Sequence, residues 1–309
     1  MVDTINRRQI EKTKSLAEAV KLVYGINLKG RLCVLDNEAM VGEVADSYNE
    51  LGLNARRETY RKLAQDFKFR TDYFEGKGIH KHILDVGCGS GLLSYEIAEQ
   101  TDAFVVGLDV SQEMIELANK NKEKISEEKV KKIISDYEGE YNLSKSLPAS
   151  CDPMPEIVDV GYNPSRRTTF VQGSVYDLSE LVGKNQHIDY IVCRNVLHRF
   201  QNSEEAIRQM FYVLGNQGKL YIRDLRRDTD WKTVVERIGD ERWKHPELVI
   251  DYIGAMAAMF TSEELSNMLN KIGVNKFEIS DGSYRTSGPN NLRFKEFEKE
   301  TEYVCVIEK

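Results

Sequence analysis

The sequence predicts an α/β protein with a doubly wound, mostly parallel sheet of seven strands, a C-terminal antiparallel hairpin and an N-terminal helical cap. From residue 79 onward, β-like apolar runs alternate with amphipathic helical patterns, as in right-handed β-α-β units whose sheet is covered on both faces. Before residue 79 the apolar spacing is helical. We therefore expect a cap at 1–78 and a main domain at 79–309, with insertions at about 124–167 and 228–260.

Composition excludes several classes of function. The 309 residues carry a net charge of −7, which disfavours general binding to nucleic acid. The longest apolar stretches are far shorter than the roughly 20 residues that span a bilayer, and the N-terminus shows no signal-peptide apolar core. Five scattered cysteines show no zinc-ligand spacing. We expect a cytoplasmic protein with no structural metal and no membrane partner.

The cap contains three helical patterns. Apolar residues from Ile10 to Val23 fall mostly on one face of a helix. Asp36 can cap a second helix that runs through Leu51, and a third covers about Asn54 to Phe67. No secure strand precedes residue 79.

The main domain follows the β-α rhythm to its end. Strands are predicted at His82–Val86, Ala103–Leu108, Thr168–Gln172, Ile188–Cys193, Lys219–Ile222, Lys276–Ser280 and Glu302–Ile307. Helices are predicted at Gln112 to about Lys124, Ser203–Leu214 and Ser262–Ile272. The last two strands have no helical pattern between them, which predicts the hairpin. The insertion at 124–167 is too long and proline-broken for an ordinary loop, whereas the one at 228–260 is helical.

The strongest chemical signal is a glycine loop directly after the first strand, Asp85-Val-Gly-Cys-Gly-Ser-Gly91. Glycines let the backbone approach a ligand, and the next helix offers its first amides as donors. A tight strand-to-helix turn also needs glycine for steric reasons alone, and this alternative stays open. Leu92 breaks the dinucleotide spacing G-x-G-x-x-G, and the Gly-Lys-Ser/Thr ending of a triphosphate loop is missing. NAD and ATP are therefore disfavoured.

An acidic residue ends the second strand, 24 residues after Asp85. In nucleotide-binding β-α-β units, a carboxylate about this far along accepts hydrogen bonds from the ribose hydroxyls. Asp109 thus predicts a nucleoside ligand beside the glycine loop. A buried structural role for Asp85 and Asp109 is the alternative.

Asp85-Val-Gly-Cys-Gly-Ser-Gly91 followed by Gly107-Leu-Asp-Val-Ser111 resembles the class I S-adenosylmethionine-dependent methyltransferase family, from roughly Ile79 to the C-terminus. The resemblance implies a Rossmann-like methyltransferase fold with S-adenosylmethionine as cofactor. It places Gly87, Gly89 and Gly91 against the methionine part, Asp109 on the ribose and Val110 against adenine. Its further implied cofactor contacts are Tyr48 in the cap, Asp85, Cys88, Ser174, Val175 and Arg194. Ser174 occupies a position where the family often has Asp, and Asp177 is an alternative.

The resemblance also implies acceptor residues at the ends of the fourth and fifth strands. Asn195 and His198 follow the fourth strand, with His198 as a candidate general base or, alternatively, a core histidine. Arg223 and Asp224 end the fifth strand as acceptor contacts or a structural ion pair. In the second insertion, where the family often builds a lid, the remaining candidates are Tyr252 and Met256, with Met259 beside them; a core stripe is the alternative.

The predicted reaction is methyl transfer to a small molecule by in-line displacement, with the methylated atom (N, O, S or C) undetermined and a base needed only for a protonated acceptor. A protein or peptide methyltransferase and a non-catalytic cofactor-binding scaffold are the alternatives. Arg194, His198, Arg223 and Arg226 favour an anionic acceptor. The aromatic residues Tyr48, Tyr252 and Trp231 would equally suit a flat or cationic one. The oligomeric state is open.

Overall fold

A computed structural model describes residues 7–32, 40–55, 57–73, 80–126, 164–182, 188–285 and 298–309. The strands, in chain order, are β1 (His82–Val86), β2 (Phe104–Asp109), β3 (Thr168–Gln172), β4 (Ile188–Arg194), β5 (Leu214–Leu225), β6 (Phe277–Asp281) and β7 (Glu302–Glu308). They form a seven-stranded sheet in the order β3-β2-β1-β4-β5-β7-β6. Strands β1 to β5 run parallel, and β6 and β7 close the sheet as an antiparallel pair. The predicted fold class is confirmed.

The helices are α1 (Arg7–Ile10), α2 (Leu16–Tyr24), α3 (Gly42–Ala55), α4 (Arg57–Arg70), α5 (Leu92–Gln100), α6 (112–126), α7 (Leu178–Leu181), α8 (Ser203–Val213), α9 (Trp231–Trp243), α10 (Pro246–Ala258) and α11 (Ser262–Lys271). None of them, within the described ranges, is long and apolar enough to cross a membrane. The second insertion is helical as predicted, since it contains α9 and α10. Asp36 and most of the insertion at 124–167 lie outside the described residues.

Strand β5 is longer than its apolar run predicted. The prediction covered Lys219–Ile222, but pairing with β7 continues to the register pair Leu225↔Glu302. Arg223 and Asp224 lie inside this strand and are buried. Because Arg223 and Asp224 are charged, the hydrophobicity pattern did not indicate that the strand continues through them. Their buried hydrogen-bond partners allow these charged side chains to lie inside the sheet.

Apolar clusters cover both faces of the sheet. On one face α4 and α5 pack around Phe67, Ile83 and Ile97. On the other, α8 and α11 pack around Ile191 and Leu220. The N-terminal helices do not share a core of their own, because α4 joins the sheet while α1 and α2 pack on α9 and α10 in a third cluster.

A buried ion network lies beneath the carboxyl edge of β5. Arg223 is fully buried; its Nε donates to Glu302 (2.6 Å) and its Nη1 to Asp66 of α4 (3.0 Å). Arg237 of α9 also donates to Glu302. Burial alone would raise the pKa of the Glu302 carboxyl, but the Arg223 and Arg237 guanidiniums hold it at about 2. Arg223 is therefore a structural residue, and its predicted contact with the acceptor is wrong.

We expect Glu302→Gln to lower the free energy of unfolding at pH 7 by about 3–5 kcal/mol, because buried Arg223 loses one of its two carboxylate partners and Arg237 loses its ion pair with Glu302. The depressed pKa stabilises the native protein above pH 4.5 and is lost as pH falls towards 2. The difference between wild type and variant should therefore shrink over that window in urea titrations.

The matched control is Glu204→Gln, which removes the partner of Lys271 in an exposed ion pair. It should change the free energy of unfolding by less than about 1 kcal/mol at every pH. A Glu302→Gln variant as stable as this control would contradict the structural role of the network.

Candidate active site

A cavity of about 290 Å³ opens at the carboxyl ends of the parallel strands. This edge is where ligands bind in open α/β sheets, because strand order reverses there and leaves a crevice. Here strand order reverses between β1 and β4, because β2 and β3 follow on the β1 side of the sheet and β5 follows on the β4 side. Helices α3, α9 and α10 contribute residues to the cavity wall from outside the sheet.

The three glycines of the loop after β1 have different roles. All three have positive φ angles, +70° for Gly87, +53° for Gly89 and +74° for Gly91. A Cβ on Gly87 would lie 2.5 Å from Val196, and a Cβ on Gly91 would lie 2.5 Å from Phe170. A Cβ on Gly89 would meet only the Tyr48 ring, at 3.8 Å across the cavity. Close packing explains Gly87 and Gly91, whereas Gly89 leaves space for a ligand.

Asp109 joins the glycine loop to the end of β2. Its Oδ2 accepts the Gly89 N–H and its Oδ1 accepts the Ser111 N–H, both at 2.9 Å. Burial raises the pKa of the Asp109 carboxyl, and these two backbone hydrogen bonds oppose the shift. Each carboxylate oxygen has a further lone pair, so Asp109 can accept two more hydrogen bonds from the cavity that it lines.

Residues predicted to lie near adenine line one end of the cavity. Val110 follows Asp109, and Ser174 and Val175 follow β3. The Ser174 hydroxyl accepts the Tyr176 N–H at 3.2 Å and so caps a helical turn. Asp177 is not among the residues of the cavity wall, which leaves Ser174 as the polar side chain at this end.

Three predicted cofactor residues do not reach the cavity wall. Asp85 is 2% exposed and accepts a hydrogen bond from Ser94 Oγ at 2.6 Å. Burial raises the pKa of its carboxyl to about 6, against the opposing effects of Ser94 and Arg194. Cys88 packs against a small apolar cluster of α6 and β3, as Gly91 does. We correct the roles of all three: they support the loop from behind and do not contact a ligand in the cavity.

Arg194 and Asn195 stand at the end of β4. Within the described ranges, the guanidinium of Arg194 makes no ion pair and lies 5.4 Å from the centre of the Tyr60 ring. Asn195 has a positive φ of 52°, which turns the chain beside the cavity, and its Oδ1 is buried with no hydrogen-bond partner in the described chain. Both residues line the cavity.

His198 is held by the carboxylate of Asp224. The ring Nδ1 lies 3.4 Å from Asp224 Oδ2, and both side chains are buried. Because a carboxylate only accepts hydrogen bonds, a hydrogen bond across this contact requires the proton on Nδ1, and the neutral ring then has a lone pair on Nε2. Nε2 is buried in the cavity wall and has no partner among the described residues. Asp224 itself does not line the cavity, so its predicted contact with the acceptor becomes an indirect one through His198.

The predicted acceptor residues on α10 divide into two groups. Tyr252 and Met259 line the cavity. All three residues belong to the core shared with α2, but Met256 does not line the cavity, so its predicted contact with the acceptor is wrong. Along this helical face, the structure alone decides which residues meet the cavity and which meet the cap.

Two residues expected near the mouth of the cavity also lie elsewhere. Arg226 pairs with Asp228 at 2.9 Å, and Trp231 Nε1 donates to the Thr13 carbonyl. Neither lines the cavity. With Arg223 buried in the network, two of the four cations that favoured an anionic acceptor are absent from the site.

The sequence did not reveal several ionic residues of the cavity wall: Arg199, Arg237, Arg242, Asp251 and Glu298. They come from the turn after β4, from α9 and α10, and from the segment before β7. Their charges looked like those of ordinary solvent-facing helices and loops. No motif marks them, because only the packing of the insertion over the sheet turns them inward.

Comparison with known proteins decides the family. A family model described as a methyltransferase domain matches residues 55–279, well over half of the chain. The chain belongs to the class I S-adenosylmethionine-dependent methyltransferase family. This confirms the predicted resemblance, and the family's cofactor, S-adenosylmethionine, agrees with the predicted one.

Two relatives and two solved structures illustrate the similarity of this methyltransferase-family chain to known proteins. A ubiquinone biosynthesis O-methyltransferase of Neisseria meningitidis is 41% identical over 51 residues, 16% of this chain and 21% of the relative. The Coxiella burnetii enzyme of the same name is 49% identical over 43 residues, 14% of this chain and 18% of the relative. The chain thus spans about a fifth of the length of the relatives it matches.

The solved structures match almost the whole chain in fold. The plantazolicin methyltransferase BpumL in complex with SAH has a TM-score of 0.56 at 16% identity, covering 98% of this chain and 97% of that one. The plantazolicin methyltransferase BamL, in complex with a desmethylPZN analog and SAH, has a TM-score of 0.54 at 15% identity, with 100% and 99% covered. At these identities the likeness shows the shared fold.

The residues of the cavity fit the cofactor of this family. The unpaired Arg194 guanidinium suits a carboxylate, the free lone pairs of Asp109 suit a ribose, and Gly89 leaves the space between them open. No group of three or more His, Cys, Asp or Glu side chains in the described ranges is arranged to hold a metal ion.

We expect Asp109→Ala to weaken binding of S-adenosylhomocysteine by about 1–3 kcal/mol in calorimetry, because the Gly89 and Ser111 amides and the ligand hydroxyls all lose an acceptor. Asp46→Ala, which removes an exposed carboxylate of α3, is the control and should bind like wild type. Tight NAD binding without a response to S-adenosylhomocysteine would contradict the assigned cofactor.

Proposed function

We propose that this protein transfers the methyl group of S-adenosylmethionine to a small molecule whose nucleophilic atom carries a proton, a hydroxyl or an amine. The observation that supports this proposal best is the unpartnered Nε2 of His198, buried in the wall of the same cavity that Asp109 and Arg194 line. The bound cofactor supplies a methyl group on a positively charged sulfur, which is already activated for in-line displacement.

The chain's own residues then have two tasks, positioning and proton transfer. Asp109, Gly89 and Arg194 bind and orient the cofactor along the ends of β1, β2 and β4. Fixing two reactants in a productive geometry can supply much of the rate enhancement of a displacement reaction. This explains why so few catalytic side chains are present.

His198 can receive the proton of the acceptor. With Nδ1–H held towards Asp224, the Nε2 lone pair accepts a proton from a hydroxyl or amine as the new bond to carbon forms. The imidazolium is then stabilised by the buried Asp224 carboxylate, which also accepts the Leu225 N–H at 3.1 Å. Asp224 acts as a positioning residue, because it touches His198 and not the cavity.

A roof over the cavity supports a small acceptor. Helix α10 is joined to the turn after β4 by a two-point ion pair between Arg199 and Asp251, at 2.6 and 2.8 Å. Glu247 at its start accepts a hydrogen bond from Ser47 of α3 at 2.5 Å. A cavity partly covered by two helices suits a metabolite better than the surface of a folded macromolecule.

The substrate can be identified by incubating the protein with methyl-labelled S-adenosylmethionine and a fractionated metabolite extract, followed by mass spectrometry. Label in a small hydroxyl- or amine-bearing product supports the proposal. Label only in protein or RNA contradicts the small-molecule assignment. Binding of S-adenosylhomocysteine without label in any fraction would favour a non-catalytic scaffold.

We expect His198→Gln to lower kcat by about 10²–10⁴ on the acceptor so identified, because the proton of the nucleophile loses its receiver. Asp224→Asn should also lower kcat while KM and the affinity for S-adenosylhomocysteine stay unchanged, since it removes the charge that stabilises the imidazolium but touches no part of the cavity. His82→Gln, at an exposed position, should behave like wild type. A His198→Gln enzyme with wild-type kcat would show that the acceptor needs no base.

A further inference from the structure

Glu298 is a carboxylate that neither the fold nor the proposed methyl transfer uses. It lies four residues before β7 and lines the cavity. Its Oε2 is buried and has no hydrogen-bond partner, and the side chain forms no ion pair within the described part of the chain. A buried carboxylate oxygen without a donor is unfavourable, so its presence in a cavity wall points to a donor supplied by a ligand.

The two arginines that act electrostatically on Glu298 are already engaged by another carboxylate. Arg223 and Arg237 both donate to Glu302, and Arg237 also donates to the Thr301 hydroxyl. Burial raises the pKa of the Glu298 carboxyl, and a hydrogen bond from its own backbone N–H opposes this shift. The negative charge of Glu302 raises the pKa further, and the charges of Arg237 and Arg223 lower it. Glu298 therefore gains from any further donor or positive charge that enters the cavity.

The position of Glu298 assigns it to the acceptor and not to the cofactor. The residues that fit the cofactor follow β1, β2 and β4. The Glu298 carbonyl occupies the space beside Gly282, which follows β6 on the far side of β5 and β7. Strand β7 is two positions from β4, about 10 Å at the usual strand spacing.

We propose that Glu298 selects the acceptor by receiving a hydrogen-bond donor, an ammonium or hydroxyl group, at the end remote from the methylated atom. This inference rests on the proposed function, because it concerns the other end of the same acceptor. A carboxylate or phosphate at that end brings no donor and is repelled by Glu298, so anionic acceptors are rejected. The acceptor is then a molecule with a donor group at each end.

Three probes of similar size test the selection without turnover: n-butylammonium, 1-butanol and butyrate. We expect n-butylammonium at millimolar concentration to raise the Tm of the S-adenosylhomocysteine-loaded protein most, 1-butanol to raise it less, and butyrate to leave it unchanged. The Tm shift with 1-butanol measures the stabilisation by a neutral hydrogen-bond donor, and the additional shift with n-butylammonium measures the contribution of the positive charge. Butyrate stabilising wild type as much as n-butylammonium would overturn the inference.

Glu298→Gln keeps the shape of the side chain but removes its charge and adds N–H donors. This variant should lose most of the Tm shift with n-butylammonium and gain one with butyrate. Its Tm without probe should stay close to that of wild type, because Oε2 has no hydrogen-bond partner and the carboxylate forms no ion pair within the described ranges. Glu300→Gln, at an exposed position two residues further on, is the matched control and should keep the wild-type order of probes.

If Glu298→Gln keeps the wild-type order of probes, the inference is overturned. A clear fall in the Tm of this variant without probe would also overturn it, because Glu298 would then have a structural role. With the natural acceptor, Glu298→Gln should raise KM at least about tenfold with little change in kcat. Failure of the proposed function gives a different pattern: no methylated small molecule forms, although the probes still bind in the expected order.

Discussion

The buried charges around Arg223 hold together the parts of the molecule that build the cavity. Asp66 lies on α4, Glu302 on β7 and Arg237 on α9. Their ion pairs with one another and with Arg223 therefore join the cap, the sheet and the second insertion at one point below the cavity. Charges removed from water require close, well-directed partners, and few other arrangements of these elements provide them. The network therefore fixes the position of α9 relative to the sheet. It thereby also fixes the part of the cavity wall that contains Arg237.

The cavity has two chemically different halves. At the ends of β1, β2 and β3, backbone amides, Asp109 and Ser174 form the half that suits a nucleoside. At the ends of β4, β5 and β7, buried side chains dominate: His198 with Asp224 behind it, and Glu298. The first half is built mainly from the backbone of a common fold. The second is built from buried side chains, and the proposed selection of the acceptor belongs to this half.

Several residues of the conspicuous glycine motif act through packing and not through contact with a ligand. Gly87 and Gly91 are needed because Val196 and Phe170 occupy the space that a side chain would take. Asp85 is tied to Ser94 and stays buried. Gly87 and Gly89 both line the cavity, and of the three glycines Gly89 has the most open space where a Cβ would lie. The motif thus specifies a loop shape, and the loop shape positions Asp109, which is the carboxylate that a ligand can reach.

The amino-acid sequence by itself determined the strands, most helices, the family and the nucleoside half of the site, because these depend on local periodicity and on a motif within one β-α-β unit. It could not place Arg223, Met256, Arg226 or Glu298, since a charged or apolar residue at the end of an element is equally compatible with a core and with a cavity. Only the tertiary structure decided between core and cavity for these residues. It places the start of β7 at the carboxyl edge of the parallel strands and packs α9 and α10 over that edge. Burial next to a specific partner is a property of the assembled chain, and no local pattern records it.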